Sequence, residues 1–301
     1  MQYRRFGPID CQVSTLGFGC ARFPTVNGVE FDPGIDEAEA IAMLRYAIDC
    51  GVNYVDTAHI YHGGNSEIVV GKALQDRYRA QVRLADKSPI WLLEHSEDFD
   101  MILDGQLRKL QTEHIDFYLL HGLDAKSWAK VQELGLLARA EKAIADGRIG
   151  HLGFSFHDTV EVFEQIVDGY DKWTFCQFIY NFLDTERQAG TRGLKYAAAK
   201  GLAIVVMEPI QGGKIARPPD PVRAIWDATP PARTVSALAL QWVWDHPEVA
   251  VALSGMSTMQ QVEENVASAE RSRSDRLGAN ELALIDRLRE AYRGIEPTPA
   301  A

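Results

Sequence analysis

The chain has no long apolar run. Nothing in its 301 residues approaches the roughly 20 consecutive apolar positions of a membrane-spanning helix. The first residues, Met1-Gln2-Tyr3-Arg4-Arg5-Phe6, lack the apolar stretch of a secretory signal, so a cytoplasmic protein is expected. Cysteine is scarce as well. The four, Cys11, Cys20, Cys50 and Cys176, form no CxxC pair and no disulfide framework, which leaves small buried or half-buried thiols and no metal site. There is no basic surplus. A formal net charge of −11 leaves nothing to neutralise a nucleic-acid backbone or an anionic membrane, and neither partner is expected. A local basic pocket for one phosphorylated cofactor is still allowed. Finally, no GxGxxG follows a strand, which disfavours a Rossmann dinucleotide fold.

What the chain does contain is a regular alternation, with 46% hydrophobic residues to build a core. Strand-like runs at Val13–Gly19, Val52–Asp56, Val82–Lys87, Ile115–His121, Ile149–Ser155, Phe175–Tyr180, Leu202–Met207 and Val249–Ser254 are short, apolar and β-branched. Between them lie runs of helical spacing at Ile35–Cys50, Ser66–Arg77, Ser96–Leu110, a stretch ending near Asp146-Gly147, Thr159–Asp168, Gly190–Lys200, Asp220–Asp245 and Thr258–Arg271. The Asp220–Asp245 stretch should break near Pro230-Pro231. Eight alternations predict an α/β protein, a (β/α)8 TIM barrel, as one domain over 1–301. Residues 1–12 read as a hairpin turning at Gly7-Pro8 and plugging the barrel floor. Glu281–Tyr292 reads as an extra C-terminal helix, and Glu296–Ala301 as frayed.

Four polar side chains stand out at strand ends: Asp56, Lys87 and His121 close three successive strands, and Tyr61 follows the first of them. Each has an ordinary structural reading. Asp56 suits a helix N-cap, Tyr61 a loop aromatic, Lys87 a solvated strand end and His121 a structural histidine. An acid, an amine, an imidazole and a phenol together are harder to explain by packing. In a parallel barrel these ends share the face that carries the active site.

The segment Gly51-Val52-Asn53-Tyr54-Val55-Asp56-Thr57-Ala58-His59-Ile60-Tyr61 resembles the aldo-keto reductase signature, with Asp and Tyr five apart. Asn65-Ser66-Glu67, Leu84-Ala85-Asp86-Lys87 and Phe117-Tyr118-Leu119-Leu120-His121 continue the likeness in order, up to about Asn265. The resemblance implies NAD(P)H-dependent reduction of a small aldehyde or ketone. Tyr61 would be the general acid, its pKa lowered by Lys87; Asp56 would hold Lys87 charged, and His121 would donate to the carbonyl oxygen.

It also implies a cofactor site, with NADP(H) favoured over NAD(H). Gly19, Cys20 and Ala21 would lie near the nicotinamide ribose, Ser155 and Gln177 at the carboxamide, and Met207 at the ring. Pro209, Ile210, Gly212, Gly213 and Lys214 match the loop that crosses the pyrophosphate. Gly255, Met256, Ser257, Thr258 and Gln261 match the adenosine-phosphate turn, and Glu264 and Asn265 the adenine pair. Small residues at a helix N-terminus suit phosphate in any case. Three departures stand out: Phe156 replaces the usual Asn, Met207 the usual stacking tyrosine, and neither Thr258 nor Gln261 is basic. Gly153-Phe154-Ser155-Phe156-His157-Asp158 resembles a branch that often carries a C-terminal iron–sulfur tail. This chain has no such cysteines there, and no cluster is expected. Substrate contacts are expected from loop 24–34, Trp91, Leu92 and Gly122–Trp128, with Phe23 and Tyr180 lining the pocket. Two alternatives stay open: a nicotinamide-binding regulatory or redox-sensing barrel, and a Schiff-base lyase using Lys87.

Overall fold

A strand flanked by helices has two faces to bury, and this chain buries both by closing its sheet. The computed structural model describes residues 1–228, 233–273 and 277–295. A hairpin of β1 (Tyr3–Arg5) and β2 (Gln12–Ser14) comes first. The barrel strands are β3 (Leu16–Gly19), β4 (Tyr54–Asp56), β5 (Arg83–Ser88), β6 (Ile115–Leu123), β7 (Ile149–Phe156), β8 (Phe175–Ile179), β9 (Ala203–Met207) and β10 (Val249–Gly255). They pair in parallel in sequence order, and β10 returns to β3 to complete the (β/α)8 barrel.

The helices between them are α1 (Glu37–Asp49), α2 (Ser66–Ala73), α3 (Asp98–Leu110), α4 (Ala125–Glu133), α5 (Leu136–Ala145), α6 (Val160–Asp168) and α7 (Gly190–Ala199). They are followed by α8 (Asp220–Ala228), α9 (Val235–Trp244), α10 (Met259–Ala269) and α11 (Ala279–Arg293), the expected extra helix. Side-chain caps fix several starts. Asp36 accepts from the Glu39 amide, and Asp124 and Ser127 form a reciprocal capping box.

Local chemistry shifts some boundaries. The expected strand Val13–Gly19 divides at Thr15: its first part pairs with β1, and the rest enters the barrel. The stretch ending at Asp146 is two helices, separated at Gly135, which takes a left-handed φ of 62°. Helix α2 stops at Ala73 rather than Arg77. The breakpoint at Pro230-Pro231 and the tail Glu296–Ala301 lie outside the described residues.

The period of two along each strand places the site. Tyr54, Ala85, Phe117, Leu119, Phe175, Ala203, Val205, Val251 and Leu253 form one apolar cluster inside the barrel, closed below by Phe6 of the hairpin loop. Phe6 packs on Phe117 at 4.3 Å between ring centroids and on Tyr54 and Phe175 at 5.9 and 5.4 Å. The hairpin thus plugs the floor, as expected. Two residues further along, the same inner face presents Asp56, Lys87, His121, Gln177 and Met207 at the C-terminal mouth. The intervening Leu84, Tyr118, Leu120, Cys176 and Val206 point outward into the helix layer.

Candidate active site

Strand β5 carries Lys87 inward just before it ends, and the side chain is 1% exposed. A bare ammonium there would be costly, and three oxygens meet it. Its Nζ donates to Asp56 Oδ1 at 2.7 Å, to the Thr57 carbonyl at 2.7 Å and to the Tyr61 hydroxyl at 3.4 Å. The strand is fixed from behind as well, because Gln106 Nε2 donates to the Lys87 carbonyl at 3.0 Å. Lys87 is therefore not a solvated strand end, and Asp56 is an ion-pair partner rather than a helix cap. Burial pulls the Lys87 amine down, but the Asp56 carboxylate more than reverses this, so Lys87 stays charged above its ordinary range. Burial pushes Asp56 up against the pull of Lys87, and it remains above the usual carboxylate value.

Tyr61 opens a short 3₁₀ turn over Tyr61–Gly64 that bends it back over the mouth. Burial raises its phenol, Lys87 lowers it, and burial prevails. This corrects the expectation of a lowered pKa: the lysine does pull in that direction, but desolvation is larger. The result is a phenol that keeps its proton at neutral pH. His121 meets Tyr61 edge-on, with centroids 6.3 Å apart and an interplanar angle of 88°. Burial, then the Lys87 charge, hold the imidazole well below its usual pKa, so it is neutral. Its Nδ1 is buried without a hydrogen-bond partner among the described residues.

The pairing of β6 with β7 shifts register between Leu120 and Leu123, beside His121. Gly122 takes a φ of 64° there, and its N–H donates to Ser155 Oγ at 2.7 Å. Ser155 and Gln177 come from adjacent strands. Gln177 Nε2 lies 3.8 Å from the Met207 sulfur, while its Oε1 is buried without a hydrogen-bond partner among the described residues. An unpaired buried acceptor suits a ligand amide donor. Phe156 packs outward, 5.1 Å from the Phe163 ring, and leaves the inner face to Ser155.

The remaining cofactor candidates line loops after β3, β9 and β10, which are neighbours in the barrel. Gly19 ends β3, Cys20 is buried with its thiol pushed up by burial, and Ala21 is half-buried. Pro209 and Ile210 lead into Gly212 and Gly213, both with positive φ. Lys214 is turned toward the Tyr292 ring, 5.7 Å away. After Gly255 and buried Met256, Thr258 caps α10, and Gln261 Oε1 accepts from the Ser257 amide at 2.8 Å. Asn265 faces inward and donates to Ser254 Oγ at 3.0 Å, whereas Glu264 is exposed and accepts from Gln260.

Trp91 is 48% exposed and its ring lies 5.2 Å from His121, so it belongs to the mouth rather than the core. Tyr180 and Trp128 are placed otherwise than expected. Tyr180 is buried against Trp242 and His246, its hydroxyl 3.1 Å from Thr191, and Trp128 packs on Trp173 in the outer layer. Phe23 is likewise buried, against Phe18 and His62. Arg22, which carries no sequence signal, lies against Gly212, Gly255 and Ser257 in the loops that hold the cofactor candidates.

At its mouth the closed parallel barrel gathers a buried lysine–aspartate pair, a neutral phenol and a neutral imidazole, groups capable of acid–base chemistry in an α/β barrel. The chain belongs to the aldo/keto reductase family, whose model matches residues 15–290. Among curated relatives, methylglyoxal reductase YeaE of Escherichia coli (strain K12) is 28% identical over 264 residues, 84% of this chain and 86% of the relative. Among solved structures, the holo form of aldo-keto reductase AKR11C1 from Bacillus halodurans superposes with a TM-score of 0.78 at 27% identity, covering 96% of each chain. An aldo/keto reductase from Klebsiella pneumoniae in complex with NADP and acetate gives 0.72 at 27% identity over 95% of this chain and 94% of that one. The protein is an NAD(P)H-dependent oxidoreductase of the kind that reduces a carbonyl to an alcohol.

Proposed function

We propose that this barrel reduces a small aldehyde or ketone with NADP(H), and that Tyr61 supplies the proton. The observation that carries the reading is the Asp56–Lys87–Tyr61 chain, with Lys87 Nζ 2.7 Å from the carboxylate and 3.4 Å from the phenol. When bound, the reduced nicotinamide supplies a hydride to the carbonyl carbon. Tyr61, half-buried at the mouth, keeps its proton at neutral pH because its phenol is desolvated, and Lys87 then stabilises the phenolate left after transfer. Asp56 keeps Lys87 charged and aimed. His121, being neutral, polarises the carbonyl oxygen without adding a second cation. The same charge on Lys87 weakens the Schiff-base reading, since a nucleophilic amine must first lose its proton.

Ser155 and the free Gln177 Oε1 fit a carboxamide, and Met207 fills the inner face beside them. Gly19, Cys20 and Ala21, the loop Pro209–Lys214, and Gly255, Met256, Ser257, Thr258, Gln261, Glu264 and Asn265 complete the cofactor groove. NADP(H) is preferred to NAD(H) by analogy with the Klebsiella pneumoniae enzyme found with NADP. Tight NADH binding with negligible NADPH binding, in a fluorescence titration of both, would overturn that preference. Exposed Ile60, Trp91 and Leu92 give the mouth an apolar rim, suited to a carbonyl with an apolar or aromatic substituent. Among the described residues no helix is long and apolar enough to cross a membrane. Four free cysteines suit a reducing cytoplasm, and the acidic charge suits a protein without a nucleic-acid partner.

The test is NADPH oxidation against a panel of aldehydes, ketones and sugars, with Tyr61→Phe beside the parent. Loss of the acid should lower kcat by about 10²–10⁴-fold, with NADPH affinity unchanged within about twofold. A variant with full activity sinks the assignment, and cofactor binding without turnover on any substrate favours the regulatory alternative.

A further inference from the structure

The acidic chain must bring a polyanion to its barrel mouth, and the turn at Thr258 and Gln261 offers no cation for it. Lys214, the basic residue of the glycine loop, is engaged by α11: Nζ faces the Tyr292 ring, and its carbonyl accepts from the Tyr292 hydroxyl at 3.2 Å. Arg22 is placed differently. It ends the 3₁₀ turn after β3, and three contacts fix it along its length. The backbone carbonyl accepts from Ser257 Oγ at 2.9 Å. The aliphatic stem lies over Gly255, where an added methyl group would come 2.9 Å from Cδ. The guanidinium reaches Gly212, where an added methyl group would come 3.0 Å from Nη2. Closing the barrel at β9, β10 and β3 thus brings one cation between two glycine turns that lack side chains to obstruct an anion.

The guanidinium is only loosely committed. Nη1 pairs with Glu30 at 2.5 Å, and Cζ lies 4.9 Å from the Phe31 ring, both on the long loop that follows. The Glu30 side chain is 59% exposed and that of Arg22 25%. A pair this accessible contributes little and exchanges readily for a better acceptor. A phosphate, with its geometry matched to the guanidinium fork, is such an acceptor.

We propose that Arg22 grips the pyrophosphate of the dinucleotide, with Glu30 as a counter-ion that the phosphate displaces. This rests on the cofactor reading above and adds to it a cation held between the two glycine turns, apart from Lys214, which faces Tyr292. Because the guanidinium sits at Gly212, on the loop assigned to the pyrophosphate, it serves NADH and NADPH alike.

Isothermal titration calorimetry of the parent and variants with NADPH and with NADH tests this. Arg22→Gln should weaken both cofactors by a similar factor, about 10–100-fold, the worth of a lost charge-assisted hydrogen bond. The melting temperature should stay within about 2 °C of the parent. Glu30→Gln should tighten both. Gly255→Ala, which displaces the arginine stem, should weaken both, and combined with Arg22→Gln it should add almost nothing further. Unchanged affinity in Arg22→Gln overturns the proposal. So does a loss confined to NADPH, which would move the guanidinium to the 2′-phosphate. So does weaker binding in Glu30→Gln. If the parent itself binds neither dinucleotide, it is the cofactor reading that fails.

Discussion

Replacing Asp56 by Asn leaves a buried ammonium without its carboxylate. Breaking such a pair from one side costs about 3–5 kcal/mol. Lys87 would keep the Thr57 carbonyl at 2.7 Å and the Tyr61 hydroxyl at 3.4 Å, which puts the cost at the lower end of that range. The unfolding entropy of a 301-residue chain, at about 2.1 cal/mol/K per residue, makes 3 kcal/mol a fall of roughly 5 °C in melting temperature. The pH dependence is the sharper signature. In the parent, the folded-state pKa of Lys87 lies above that of the unfolded chain. Its stabilisation is complete below the ordinary lysine value, about 10.4, and fades as pH rises through the folded value. In Asp56→Asn, burial acts without that opposition and the folded pKa should drop below the unfolded one. The sign then reverses, and stability climbs with pH up to the lysine value. Thermal melts from pH 6 to 10 would show it. A companion variant with Lys87→Met and Asp56→Leu, which removes both charges, should recover most of the loss. If Asp56→Asn melts within about 1 °C of the parent and keeps the parent's pH slope, the pair is not what holds this lysine charged.

Three further expectations follow from the same groups. The difference in ultraviolet titration between the parent and Tyr61→Phe should place the Tyr61 phenol above the ordinary tyrosine value; ionisation below it means burial was overrated. Asp86 faces outward from β5 toward Glu67, and burial, then that charge, raise its carboxyl well above the usual range. Its folded form therefore holds a proton that the unfolded chain releases, and stability should fall with rising pH by up to about 1.4 kcal/mol per unit above the unfolded value. Asp86→Asn should remove that slope in urea melts, gaining more at pH 8 than at pH 5; an equal gain at both would refute it. Trp91→Ala should raise KM for aromatic aldehydes about tenfold with kcat nearly unchanged, since burial of one aromatic contact is worth roughly 1–2 kcal/mol. A fall in kcat alone would mean that the indole positions His121 instead.

The barrel was legible because its signals are local. Short β-branched runs separated by helical spacing already state the alternation, and the polar residues at three successive strand ends already point to one mouth of the barrel. Boundaries were less legible where one residue changes the local geometry: Gly135 divides what read as a single helix, and Thr15 divides what read as a single strand. The Tyr61 pKa was read with the wrong sign because the competing quantity, desolvation, depends on packing that no spacing reveals. Tyr180 was expected at the pocket, but it follows β8 with its ring toward α9. Arg22 gave no signal because its partners, Gly212 and Gly255, become its neighbours only when the last strand meets the first.

That seam has a consequence for the opening residues of the chain. The Arg4 guanidinium donates to the carbonyls of Trp244, His246 and Val249, all at the entry to β10. A methyl group on Gly7 would strike the Ala203 backbone nitrogen at 2.7 Å, and Phe6 rests on rings from β4, β6 and β8. The place where this hairpin docks is thus assembled from strands all around the circle, including the final one. A hairpin that precedes every barrel strand in the sequence is thus the last element whose berth exists. Until β10 is in place, the barrel has neither a seam nor a floor.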